Sequence, residues 1–313
     1  MKTQSMSHIC VFVLTVAISV FFSSSNGYGQ DSNYEPTLTP WGDPDIQGHY
    51  LPGTWIPLEI PRLEPWGNTD YSGHNFTFSR FFRPENEDAA PTRPGPQEGI
   101  MVIDPADGKI PLQPWAAEKR DEIMARQDEL EFLDPRVKCL PASLPRAHLP
   151  VGYNTYQILQ VPGAVIILYE WNHHSRYIPL DDSPHVSSDM KFGMGDSRGR
   201  WEGNTLIVDV TNFTDNTWPV GHGAPPEGAP ASSINTGHGV FQSEALHVTE
   251  RFTIVGKDTI NYQATIEDPN VFTQPWTIKY EGLTRAPDGH ILYEYACHEG
   301  NARNLRLMTG AEF

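Results

Sequence analysis

Apolar and polar residues alternate with a period of two through most of the second half of this chain, while the first half shows almost no such alternation. A period of two sends successive side chains to opposite faces of a pleated strand. Together with β-branched and aromatic content, it predicts strands at 156–161, 164–172, 176–180, 205–213, 244–255, 258–266, 271–283 and 290–298. Turn-forming residues separate them at Pro162-Gly163, Asp196-Ser197-Arg198-Gly199, Gly256-Lys257-Asp258, Asp268-Pro269-Asn270 and Pro287-Asp288-Gly289. Mostly sequential strands with hairpin-length connections predict an all-β fold. Its expected form is an antiparallel lipocalin-like barrel or a strongly curved sheet, because closure removes exposed edges. Pro275 falls inside one predicted strand and calls there for a bulge or an edge position. The segment 214–243, with Trp218, His222 and His238, is longer than a hairpin loop and has the length of a lid or binding loop.

Upstream of the strands the chain reads as three pieces. Residues 1–30 begin with Lys2, continue through the apolar run Ile9 to Phe22 and end in small polar residues, the order of a secretory signal peptide cut near Gly29 or Gln30. That run is shorter than the ~20 residues a spanning helix needs, so no membrane association is expected after cleavage. Residues 31–130 are read as a Pro- and aromatic-rich arm with one helix, wrapping a main β-barrel domain at 131–313. The helix is predicted over 113–130, with Pro114 in its first turn and the Leu133-Asp134-Pro135 turn after it. A short strand is predicted at 99–103.

Charge narrows the partners. The formal net charge is −17, and removing a leader that holds Lys2 and no acidic residue makes the mature chain one unit more negative. Such a balance repels polyanions, which argues against nucleic acid and anionic membranes and leaves a small-molecule partner. Of the 3 cysteines, Cys139 and Cys297 remain after cleavage. In a secreted or periplasmic setting they can pair as a disulfide, the alternative being two buried thiols.

Candidate chemistry comes from ionisable residues within apolar strands, since burying a charge without a partner is costly. Over 244–255, one face carries Leu246, Val248, Glu250, Phe252 and Ile254, and the other His247, Thr249, Arg251 and Thr253. Glu250 on an apolar face is either salt-bridged or a carboxyl whose pKa is pushed up, as in a general acid. Over 290–298, Glu294 and His298 share one face and Cys297 and Glu299 the other, so one ionisable group is expected to point inward. His beside a carboxylate is a common acid–base pairing near neutral pH. The candidate acid–base set is therefore His247, Glu250, Glu294, His298 and Glu299, with His174, Arg176 and Arg251 orienting a substrate and Trp171, Trp201 and Trp276 offering stacking surface. His174 with His298 and a carboxylate would also make a metal site of His-His-carboxylate type, although adjacent histidines on a strand face opposite ways. The main expectation needs no cofactor.

The runs Arg198-Gly199-Arg200-Trp201-Glu202-Gly203-Asn204-Thr205-Leu206, Leu246-His247-Val248-Thr249-Glu250-Arg251-Phe252 and Tyr293-Glu294-Tyr295-Ala296-Cys297-His298-Glu299-Gly300-Asn301 resemble motifs of a large family of secreted bacterial proteins of uncharacterised function. The resemblance spans roughly residues 130–313 and carries no activity with it. From the residues, the expected function is an exported, cofactor-independent enzyme of lyase, isomerase or hydrolase type. A His/carboxylate set in a barrel pocket would act on a small polar or aromatic substrate. A non-catalytic periplasmic ligand-binding barrel and a carbohydrate-active module are the alternatives.

Overall fold

The computed structural model describes residues 34–51, 101–126, 129–149, 155–221 and 239–297. Ten strands form one sheet: β1 (Gly48–Leu51), β2 (Val102–Asp104), β3 (Tyr156–Val161), β4 (Ala164–Tyr169), β5 (Ser175–Pro179), β6 (Asp196–Glu202), β7 (Thr205–Thr211), β8 (His247–Gly256), β9 (Thr259–Glu267) and β10 (Trp276–Arg285). Every pairing is antiparallel, in the order β5-β4-β3-β1-β10-β9-β8-β7-β6, with β2 added against β10. The sheet curls into a nearly closed barrel, and among the described residues a single α-helix, α1 (Pro114–Ala125), lies beside it.

Alternation decides what fills the lumen. Along β8 the residues on the face of Val248, Glu250, Phe252 and Ile254 are buried, and those on the face of His247, Thr249, Arg251 and Thr253 are half-exposed. Strand β9 does the same with Ile260, Tyr262, Ala264 and Ile266 inward. These inward residues join Tyr50, Tyr156, Trp276, Ile278 and Tyr280 in one continuous core, so the barrel is packed with side chains. Trp276, Tyr156 and Tyr262 are each 0% exposed.

The two ends of the strand order, β5 and β6, meet through side chains. Arg176 Nε on β5 donates to Ser197 Oγ on β6 at 2.8 Å. Gly199 on β6 lies so close to β5 that a Cβ there would sit 2.7 Å from both Ile178 Cγ2 and Leu180 Cδ2, which only glycine avoids.

Helix α1 starts at Pro114, whose missing N–H costs nothing in a first turn. It is pinned to the β9–β10 connection, with Gln113 N donating to Val271 O at 2.8 Å and Trp115 Nε1 to Asn270 O at 3.2 Å. None of the described helices is long and apolar enough to cross a membrane.

Several expectations change. The stretch 196–199, read as a turn, is the start of β6: its inward positions are the small Ser197 and Gly199, so no apolar alternation marks it. Residues 290–297 form no strand, and Ile291, Tyr293 and Glu294 are exposed. The strand expected over 271–283 begins at Trp276, so Pro275 precedes it and needs neither bulge nor edge. The arm does more than wrap, because β1 is inserted between β3 and β10. Of the expected lid, 222–238 lie outside the described residues, and its flanks are joined by a bridge between Val220 and Val240.

Candidate functional site

The segment 140–149 has little regular structure yet is almost wholly buried, with Ala142, Leu144, Ala147 and Leu149 in the barrel core. Its anchor is Arg146, whose guanidinium binds both carboxylate oxygens of Asp134, Nη1 at 2.8 Å and Nη2 at 2.5 Å. This two-pronged contact holds a short helical turn, Arg146–His148, so that the His148 side chain enters the lumen.

His148 is 0% exposed and ringed by aromatic side chains from four strands: Tyr156, Tyr169, Phe252 and Tyr262, at centroid distances of 4.9, 5.5, 5.1 and 5.0 Å. Its Nε2 lies 3.0 Å from the Tyr169 hydroxyl and 3.5 Å from Glu250 Oε1. Glu250 accepts from Tyr262 Oη at 2.8 Å on Oε1 and from Arg176 Nη2 on Oε2. Arg176 in turn holds Ser197. Five elements thus converge on a dry chain of polar groups running Ser197, Arg176, Glu250, His148, Tyr169.

Electrostatics fix the charge states along this chain. Burial, and then the nearby Arg176 cation, hold the His148 pKa well below its usual value, so the ring is neutral. Burial opposes the charge of Arg176 too, but Glu250 and then Tyr169 outweigh it and keep the guanidinium protonated. Burial, reinforced by the Glu250 charge, raises the Tyr262 pKa; burial likewise raises that of Tyr169, against the pull of Arg176. Both phenols stay protonated. The Tyr169 hydroxyl and His148 Nε2 share one hydrogen bond, and the imidazole tautomer sets which of them donates.

Tyr169 also belongs to the wall of a small cleft of about 240 Å³, counting space open to solvent, together with Ala142, Ala147, Trp171, His174 and Met194. Tyr169 and His174 are brought together by the β4–β5 hairpin, where Tyr169 N donates to His174 O at 2.8 Å. Burial, and then His173, lower the pKa of His174, which is therefore a neutral imidazole. His174 Nε2 and Trp171 Nε1 are both buried and lack a partner among the described residues. Buried polar atoms are normally satisfied, so these two ring nitrogens keep hydrogen-bonding capacity open beside the cleft. Trp171 is itself held firmly, with the Arg136 guanidinium 3.6 Å from its ring centre and Tyr295 stacked at 4.3 Å. Cys139 and Cys297 are joined in a disulfide, with Cα atoms 5.7 Å apart, which ties the Tyr295 segment to this end of the barrel.

No family model matches this chain, and no curated protein or solved structure matches it significantly. The site is therefore read from its own atoms.

Those atoms redistribute the residues expected from sequence. Glu250 and Arg176 lie in the lumen as partners, and Trp171 and His174 line the cleft. His247 and Arg251 lie on the outer face of β8 and cannot join Glu250, because neighbours along a strand point apart. His247 Nε2 instead meets Asp209 Oδ1 at 2.7 Å, and Arg251 reaches Glu202 at 3.7 Å. Asp209 also meets His185 Nε2 at 2.8 Å, and His185 Nδ1 meets Asp196 at 3.0 Å, making a second His–carboxylate chain on the outside. Trp276 is buried against Phe272, and Trp201 is half-buried against the core. Glu294 is exposed on irregular backbone, and His298 and Glu299 lie outside the described residues. Among the described residues, no group of three or more His, Cys, Asp or Glu is placed to hold a metal ion. Sequence reasoning missed His148, which sits in a segment without periodicity. It also missed Tyr169 and Tyr262, although period-two counting along their strands would have turned both inward.

Proposed function

We propose that this chain is an exported enzyme that moves a proton within a small substrate bound at the cleft, by isomerisation or elimination, with no cofactor. The observation that carries the reading is the double placement of Tyr169. It lines the cleft beside the unpartnered His174 Nε2, and its hydroxyl meets the buried chain of His148, Glu250 and Arg176. His174 is the catalytic residue in this scheme: its neutral Nε2 takes a proton from the substrate. It then returns that proton, either to another atom of the substrate or to the departing group as that group leaves with its bonding electrons. Tyr169 lines the same cleft, and His148, Glu250 and Arg176 act as positioning residues that hold it in one orientation. Export agrees with the disulfide, which an oxidising compartment would sustain.

A non-catalytic ligand-binding barrel is the second reading, favoured by the apolar character of most of the cleft lining. One experiment separates the two. Small ketones, enols and β-hydroxy compounds are screened for stabilisation of the protein and for substrate-proton exchange in deuterated water. Turnover that survives in a folded His174→Ala protein removes the catalytic reading, and stabilisation without any exchange supports the binding barrel.

A further inference from the structure

The β4–β5 connection, Glu170 to His174, places two consecutive non-glycine residues at positive φ, Asn172 at 52° and His173 at 53°. That backbone region is costly for residues with a Cβ and persists only where neighbours fix it. The neighbours here come from two remote segments. Asn172 Nδ2 donates to Cys139 O at 3.1 Å. The Trp171 ring is gripped by the guanidinium of Arg136, three residues before Cys139, at 3.6 Å, and by the ring of Tyr295, two residues before Cys297, at 4.3 Å. Glu170 Oε2 accepts from Tyr293 N at 3.4 Å. Three successive hairpin residues thus lean on chain within a few positions of Cys139 or Cys297, and the bond between these cysteines closes the band around them.

We propose that the Cys139–Cys297 bond is a redox latch on this hairpin, opened by a dithiol. With the bond reduced, residues 290–297 leave Trp171, Asn172 and His173 relax from positive φ, and the buried ring nitrogens of Trp171 and His174 become open to solvent. The latch stands apart from the catalytic reading, because it concerns only the conformation of the hairpin.

The change is local for a stated reason. Residues 290–297 form no strand, so no ladder of backbone hydrogen bonds retains them once the covalent tie is gone. Strands β4 and β5 keep their own ladder, in register from Ala164 opposite Pro179 to Leu168 opposite Ser175. Both cysteines are half-buried, which leaves the bond within reach of an attacking thiolate. In the exchange, the first thiolate of the dithiol bonds to one cysteine sulfur and expels the other as a thiolate, and its second thiol then displaces the first cysteine. The protein gains two electrons and two protons as a pair of thiols, and the dithiol ends as a disulfide.

The test is amide hydrogen exchange, without denaturant, on the oxidised protein and on the same protein reduced with dithiothreitol. The amides of Tyr169 and Glu170, which donate to His174 O and Thr155 O, report on the hairpin, and that of Tyr293 reports on the strap. Reduction is expected to speed exchange at 169–174 and 290–297 by about tenfold or more, while β8 and β9 change far less. Trp171 is expected to become reactive toward N-bromosuccinimide, read by peptide mapping, and reoxidation to reverse both changes. Tyr295→Ala, which leaves the bond in place, is expected to loosen the hairpin part-way in the oxidised protein. Equal acceleration in every strand, or unfolding on reduction, overturns the proposal by showing a staple of the whole barrel. A hairpin that stays protected while 290–297 loosen, unchanged hairpin exchange in Tyr295→Ala, or a bond that dithiothreitol leaves intact overturns it equally.

Discussion

The same residue types build two polar chains on opposite sides of one sheet. Inside, Arg176, Glu250 and His148 are at most 4% exposed and are surrounded by aromatic rings. Outside, His185, Asp209 and His247 are joined by comparable distances, but their side chains are 23%, 38% and 37% exposed. Geometry alone does not separate them; solvent does. In the lumen each charge depends on its partner because the side chains are shielded from bulk solvent, whereas on the outer face water and salt share the work. The comparison teaches that a His next to a carboxylate says little until the face of the strand is known. Glu250 and His247, three residues apart on β8, belong to different chemistries for that reason alone.

The contrast is most sharply tested by removing one charge from the inner chain. Glu250→Ala or Arg176→Ala strands its partner in the lumen and is expected to cost about 3–5 kcal/mol in denaturant unfolding. A loss below about 1 kcal/mol would mean that the lumen is wetter than the burial implies. Next in size is Cys139→Ser, which opens a loop with a sequence separation of 158 residues. Its expected cost is about 2–5 kcal/mol, and reductant should destabilise the wild type by the same amount while leaving the variant unchanged.

Acid separates the two chains by pH. His148 is held neutral in the fold by burial and by Arg176, so the unfolded chain binds more protons than the folded one once pH drops below the ordinary histidine value of 6.5. The stability this contributes is present above 6.5 and is lost as pH falls toward the depressed folded value. On the outside, burial would raise the pKa of Asp209, but hydrogen bonds from His247 and His185 outweigh it, leaving the carboxyl below 3.8. Its contribution is present above 3.8 and fades only as pH falls through its lower folded value. Thermal stability should therefore fall between pH 7 and pH 5 in the wild type, and its pH dependence should flatten in His148→Phe. An unchanged slope in that variant would count against a neutral buried ring. The smallest effect belongs to Asp209→Asn, expected to cost about 0.2–1 kcal/mol and to shrink further in high salt.

Much of the barrel was legible because its strands pack one face against a core. The period-two pattern placed β3 over 156–161, its observed span, and turned Glu250 inward with the correct neighbours. The same rule failed at β6, where the inward positions serve contact and hydrogen bonding through Gly199 and Ser197 and therefore carry no hydrophobic signal. It failed in the opposite sense at 290–297, where apolar residues alternate but Ile291 and Tyr293 face solvent. That segment is placed by the disulfide and by Tyr295 on Trp171, two long-range contacts invisible to local periodicity. His148 was the least legible of all. Its position depends on Arg146 finding Asp134, twelve residues earlier, and neither residue belongs to a repeating pattern.

The Cys139–Cys297 bond turns β3 through β10, eight of the ten strands, into a covalent ring. A protease that nicks any single peptide bond between these cysteines releases no fragment under non-reducing conditions, since both new ends remain tethered to one molecule. The remaining two strands, β1 and β2, precede the ring in sequence and are held only by non-covalent pairing with β3 and β10. A cut between Asp104 and Cys139 therefore leaves both strands joined to the ring by non-covalent contacts alone, while the same enzyme acting within the ring leaves a single species of unaltered mass apart from one added water.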